Sequence, residues 1–135
     1  MQRRRSNDEW GSGSASYRLA ALVGTGLVAL GAIGLTRPGT AAEAYGLPIQ
    51  DPRDFPFVRV KAVRDLAAGL GALTLLTMRE RRALGAYLIA TTLIPALDAL
   101  LVLLSGTRKP WQVAMHGGTG GFVLALGAAL LRRRS

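Results

Sequence analysis

Four apolar runs, separated by short polar breaks, set the pattern of this chain. The first covers residues 19–35, LAALVGTGLVALGAIGL. The third, 83–104, is interrupted only by Asp98 among charged residues, and the fourth covers 111–131. The second, 55–78, is different. Its half 66–78 carries no charge, whereas 55–65 holds Arg59, Lys61, Arg64 and Asp65. A helical crossing of a bilayer needs about 20 mostly apolar residues, so the charge-free half alone is too short. If this run crosses, it takes ionisable groups with it, and such groups inside a membrane mark a functional site by default. The pattern predicts helices at about 18–36, 55–78, 82–104 and 111–131.

The breaks agree with that division. Residues 36–54 hold Pro38, Pro48 and Pro52 with Gly39 and Gly46, which forbid one long helix. A short helix over 41–45 lying on the surface fits there. Asp54 is placed to cap the second long helix, with Pro56 in its first turn. Residues 1–16 read as a disordered tail, charged at first and then GSGSAS, with Trp10 exposed in it. A signal peptide is the rival reading of the first run, but no small-residue cleavage site follows it and Arg37-Pro38 interrupts the region. The sequence therefore predicts an all-α, integral membrane four-helix bundle over 17–134, with short loops.

Basic residues fix an orientation. Arg3, Arg4, Arg5 and Arg18, then Arg79, Arg81 and Arg82, then Arg132, Arg133 and Arg134 flank one face of a four-span bundle. The other face has Arg37, Arg53, Arg108 and Lys109, diluted by Glu43, Asp51 and Asp54. By the positive-inside rule this is a multi-pass protein of the cell membrane with both termini cytoplasmic.

Helical periodicity turns the polar residues inside the runs into faces. Lys61, Arg64 and Asp65 share one side of the second helix, continued by Ala68, Gly71 and Ala72, a small-residue stripe suited to helix packing. Arg59 points away and snorkels to the headgroups. On the third helix Tyr87, Thr91, Asp98 and Ser105 align, and Pro95 leaves the Thr91 carbonyl without its usual partner. On the fourth, Gln112, His116 and Gly120 align, and the neighbouring glycines 117, 118 and 121 admit a close neighbour. Lys61 to Asp65 lie roughly 10–17 Å along their helix from Asp54, Asp98 roughly 9 Å from Leu104, and His116 roughly 8 Å from Trp111. All are thus in the outer half of the bundle, where two bases and two acids balance.

Composition removes several function classes. The 135 residues are 50% hydrophobic and contain 17 glycines and no cysteine, so disulfides, thiolate metal sites and thiol nucleophiles are excluded. The formal charge of +9 sits at the ends of apolar runs, which orientation explains better than nucleic acid does. No cofactor motif is present: GGTGG lacks the Lys-Ser/Thr of a phosphate loop, and Lys61 and Arg64 compete with any metal for the carboxylates.

Two readings of the cluster stay open. In one, Lys61, Arg64, Asp65 and Asp98 form ion pairs that fix helix register. In the other, Lys61, Arg64, Asp65, Thr91, Asp98, Gln112 and His116 line a polar pocket. Such a pocket would bind a small amphipathic ligand or a partner's helix. As an enzyme, an isomerase or cyclase on an apolar substrate, it would use Asp98 or His116 as acid/base and Arg64 as electrostatic stabiliser. As part of a transport complex, within a homo-oligomer or a larger membrane partner, it would relay charge.

YGLP at 45–48, RVKAVRDLAAGL at 59–70, Asp98 in the third run and HGGTGG at 116–121 occur together in one chain. With these features the chain resembles the small bacterial and fungal membrane proteins grouped as domain of unknown function 4267, over about residues 20–131. The most specific piece is R-x-x-x-x-R-D-x-x-x-G at Arg59, Arg64, Asp65 and Gly69. The resemblance implies four transmembrane helices and no agreed activity.

Overall fold

The structure is a computed structural model that describes residues 10–106 and 110–132. The basic residues expected at 3–5, 108–109 and 133–134 lie outside the described residues. Described residues form helices and turns, with no strand among them.

Helix α1, Ala15–Thr36, starts where the Ser14 hydroxyl accepts the Tyr17 N–H at 3.2 Å. It ends at Arg37, because Pro38 opens the next helix, α2, Pro38–Tyr45. Gly46 stops α2 in the left-handed region, at φ 106°. A 3-10 turn, Pro52–Asp54, leads into α3, Phe55–Thr77. The cap here is Asp51, whose carboxylate accepts the Arg53 N–H at 2.9 Å. Asp54 makes no capping bond, so the expected cap falls three residues earlier, the intervening 3-10 turn having displaced it. Arg53 beside Asp51 also holds that exposed carboxyl below the usual value.

The expected third helix is one rod interrupted at Thr92, giving α4, Arg81–Thr91, and α5, Leu93–Leu104. Proline 95 has no N–H to offer the Thr91 carbonyl, and the regular ladder lapses there. Helix α6, Pro110–Leu131, completes the chain. Among the described residues three segments are long and apolar enough to cross a membrane: Ala15–Thr36, Arg81–Leu104 and Pro110–Leu131. Helix α3 has 23 residues, enough in length, but its four charges keep it out of that group.

The helices pack as two antiparallel pairs, α1 with α3 and α4–α5 with α6. Glycine sets the spacing in both seams. A Cβ on Gly69 of α3 would stand 2.7 Å from the Gly24 carbonyl oxygen and 2.8 Å from the Val28 nitrogen on α1. Gly85 and Gly127 approach each other in the same way between α4 and α6, each Cβ reaching 2.9 Å from the other's carbonyl oxygen. A glycine inside a helix costs about 1 kcal/mol relative to alanine, and backbone-to-backbone approach of this kind offsets it.

At the end of the bundle where α1 begins, the pairs close on a core of Ala20, Ala72, Leu76, Leu84, Leu88, Val123, Leu126 and Leu130. Trp10 belongs to that core, only 4% exposed. Its ring meets Tyr17 edge-on, 5.1 Å between centroids, and its indole N–H donates to the Ser16 hydroxyl at 3.0 Å. This corrects the expectation of an exposed tryptophan in a disordered stretch: residues 10–14 fold back over the end of α1, held also by Arg18 donating to the Ser12 and Gly13 carbonyls. The opposite end, where α2 lies, is not filled in this way.

Candidate functional site

One turn of α3 places Lys61 and Asp65 on the same face, and the ammonium meets the carboxylate at 2.5 Å. Arg64, beside them, reaches α5 and donates to Asp98 Oδ1 at 3.3 Å, its Nε remaining 4.0 Å from Asp65. Both carboxylates are buried, 6% exposed each, while the Arg64 side chain is 47% exposed. Each buried acid therefore has a cation, and the group is neutral in sum. Stranding either carboxylate at such burial costs about 3–5 kcal/mol, so each pair chiefly removes a penalty.

Tyr45, the last residue of α2, sits among these groups. Lys61 Nζ lies 4.7 Å from its ring centroid, and the His116 ring centroid is 4.6 Å away at 60°. A cation over an aromatic face is worth about 0.5–2 kcal/mol, more where water is excluded. Burial first, and then the nearby Asp98 carboxylate, hold the Tyr45 phenol far above its ordinary pKa of 10.0. It is a neutral hydroxyl at any physiological pH.

Helix α6 ties α2 down. Gln112, 2% exposed, donates from Nε2 to the Glu43 carbonyl at 3.0 Å, and His116 Nε2 meets the Tyr45 carbonyl at 3.0 Å. A carbonyl only accepts, so Nε2 carries the proton in this contact. The turn at Gly46 is needed for this closeness, since a Cβ there would lie 2.9 Å from the Gln112 Oε1. The expected surface helix at 41–45 is thus longer and tucked in, with Pro38 and Ala42 buried.

Between the two helix pairs runs a cavity of about 800 Å³. Its walls are chiefly apolar, including Leu27, Ile94 and Val123, and Lys61, Asp65, Asp98, His116 and Tyr45 bound its polar end. Thr91 lines it further along, its hydroxyl turned back to the Leu88 carbonyl at 3.1 Å. Tyr87 spans α4 to α3 by donating to the Ala68 carbonyl at 3.0 Å. Among the described residues no three His, Asp or Glu side chains are grouped to hold a metal ion.

Of the residues singled out in the sequence, Lys61, Arg64, Asp65, Asp98 and His116 come together. Gln112 is a strut under α2, and Thr91 is a wall residue. Of the glycines near His116 only Gly120 touches a neighbouring helix, at Pro95; a Cβ on Gly117, Gly118 or Gly121 would meet nothing. Tyr45 was not singled out from the residues. Its one signal was an aromatic just before a glycine in a proline-rich connection.

Long apolar helices packed through glycine seams, around an internal charge-balanced cluster, define a small helical protein of the membrane type. Within that class the chain belongs to the family described as Domain of unknown function (DUF4267), which matches residues 24–130. No curated protein and no solved structure matches the chain.

Proposed function

We propose that the protein spans the membrane four times, with α3 as the fourth crossing, and binds a small amphipathic molecule in the cavity between its helix pairs. The observation that carries this is the cavity itself. A volume of about 800 Å³ lies within the range typical of small-molecule sites, about 300–1,000 Å³, which are mostly apolar with a few convergent polar groups. The ion pairs at its end support α3 as a crossing, because they neutralise within the protein the charges that would otherwise oppose insertion. Arginines at 79, 81, 82 and 132 stand at the end where α1 begins, which favours cytoplasmic termini.

Native mass spectrometry of the full chain, extracted in mild detergent, tests the reading. A retained small molecule that is lost on Tyr45→Ala supports it. A bare protein that also fails to take up any added single-chain amphiphile refutes it.

One observation favours chemistry on the bound molecule: Tyr45 stands between Asp98 and His116, so a neutral hydroxyl, a carboxylate and an imidazole lie within one constellation. Asp98 or His116 would then move a proton and Arg64 would stabilise developing negative charge. In that case Asp98→Asn and His116→Gln should keep the bound molecule but leave it as its precursor isomer, told apart by chromatographic retention because isomerisation leaves the mass unchanged.

A further inference from the structure

Two features of the cavity bear on what it accepts and how: the balance of charge at its polar end and the character of its side wall. At the polar end Lys61 is matched by Asp65, and Asp98 by Arg64, which stands outside the cavity wall. A headgroup bringing its own charge would leave one unit uncompensated among buried groups, which is strongly unfavourable. A neutral oxygen brings none. Lys61 suits such an atom: an ammonium has three N–H donors, one is given to Asp65, and 29% of the side chain stays exposed.

The side wall is where α1 faces α6. These helices touch only sparingly, and Leu22 and Leu30 of α1 line the same cavity as Trp111, Met115 and Phe122 of α6. All five line the cavity and are more than two-fifths exposed. Gly26, midway along the α1 rim, also lines the cavity, and a Cβ there would meet nothing within 4 Å. The spacing 22, 26, 30 on one helix and 111, 115, 122 on the other puts each set on a single face. This is a slot with apolar lips on both sides. At the end of the bundle α2 lies across the cavity, tied to α6 through Gln112 and His116.

Resting on the binding reading above, we infer that the occupant is a neutral amphiphile, a hydroxyl or carbonyl oxygen on a long apolar body, admitted sideways from the bilayer through the slot between α1 and α6. Its oxygen takes a hydrogen bond from Lys61, and its apolar part lies along the slot in place of lipid. Charge complementarity selects this occupant: the site is neutral in sum, and Lys61 keeps N–H donors beyond the one given to Asp65.

The test uses the full chain in lipid nanodiscs with three photoreactive probes of one chain length: a long-chain alcohol, the matching carboxylic acid and the matching amine. The alcohol should label cavity residues about tenfold more than either charged probe at equal concentration, which corresponds to 1.4 kcal/mol. Asp65→Asn should turn the preference toward the acid, and Lys61→Met toward the amine; whichever of the two variants folds suffices. Gly26→Trp, or Gly26→Leu if the larger residue impairs folding, should cut labelling by the alcohol several-fold while the melting temperature holds. Equal labelling by all three probes would leave the binding reading standing and overturn the neutral headgroup. Labelling unchanged in both Gly26 variants would overturn the slot. No cavity labelling by any probe would defeat the binding reading itself. Protein-to-protein crosslinks across the slot in place of lipid labelling would assign it to a second helix and overturn the inference.

Discussion

Removing the two partners of the Arg64–Asp98 pair should have unequal consequences, because their surroundings differ. Asp98 is 6% exposed, and the Arg64 side chain is 47% exposed. In Arg64→Gln the carboxylate stays where it is, buried, with its cation gone. Stranding a buried charge costs about 3–5 kcal/mol. In Asp98→Asn the guanidinium is the group left over. It is half exposed, and Asp65 is already 4.0 Å from its Nε, so it re-pairs or is solvated at a cost of about 1–2 kcal/mol. The double variant removes both charges and should cost no more than about 2–3 kcal/mol, giving a coupling of roughly 2 kcal/mol between the two sites. Equilibrium unfolding in mixed micelles, followed by circular dichroism, reads all four proteins. If Asp98→Asn proves the more damaging single change, or if the singles simply add, unequal burial does not govern this pair and the reasoning fails.

Other expectations follow from particular contacts. Gly69→Ala should destabilise by about 1–3 kcal/mol, since its methyl collides with the α1 backbone, whereas Gly121→Ala meets open space and should be neutral or stabilise by up to about 1 kcal/mol through helix propensity. In a Trp111→Phe background the remaining tryptophan fluorescence should be blue-shifted and poorly quenched by acrylamide, as Trp10 is buried; Trp10→Ala should cost about 3 kcal/mol in the unfolding assay. Ultraviolet titration of the protein against Tyr45→Phe should show Tyr45 ionising well above 10.0. The sign follows: a raised phenol pKa means its share of stability is complete below pH 10 and falls away as pH rises past it, so Tyr45→Phe should flatten the alkaline loss of stability. Gln112→Ala should cost about 1–3 kcal/mol by leaving the Glu43 carbonyl short of a donor, and should speed proteolysis within residues 38–54.

Much of this arrangement can be read from spacing alone. The apolar runs marked the long helices, and a count of turns from the ends of each placed Lys61, Arg64, Asp65, Asp98 and His116 at one level. Periodicity then aimed them inward. What spacing cannot carry is contact between segments that lack a period. Tyr45 reaches His116 across 71 residues through a glycine turn whose direction depends on Gln112. Trp10 looked like part of a polar tail because its neighbours are small and polar, and its burial depends on a surface made by α1, α3, α4 and α6 together. The glycines after His116 illustrate the same limit: composition gives their smallness, but only packing decides that Gly120 is covered and its neighbours are not.

The two ion pairs differ in what must already exist before each can form. Lys61 and Asp65 are four residues apart and meet as soon as one turn of α3 winds. Arg64 and Asp98 are separated by 34 residues and must wait until α5 is synthesised and delivered. For a chain made from its N-terminus and crossing at α3, this imposes an order of assembly. The first helix pair enters with one cation already neutralised and the Arg64 guanidinium still without its partner, free to reach toward the headgroups. Arrival of α5 supplies the missing carboxylate and fixes α3 at its final depth. On the four-crossing reading proposed above, the second half of the protein would complete the membrane insertion of the first.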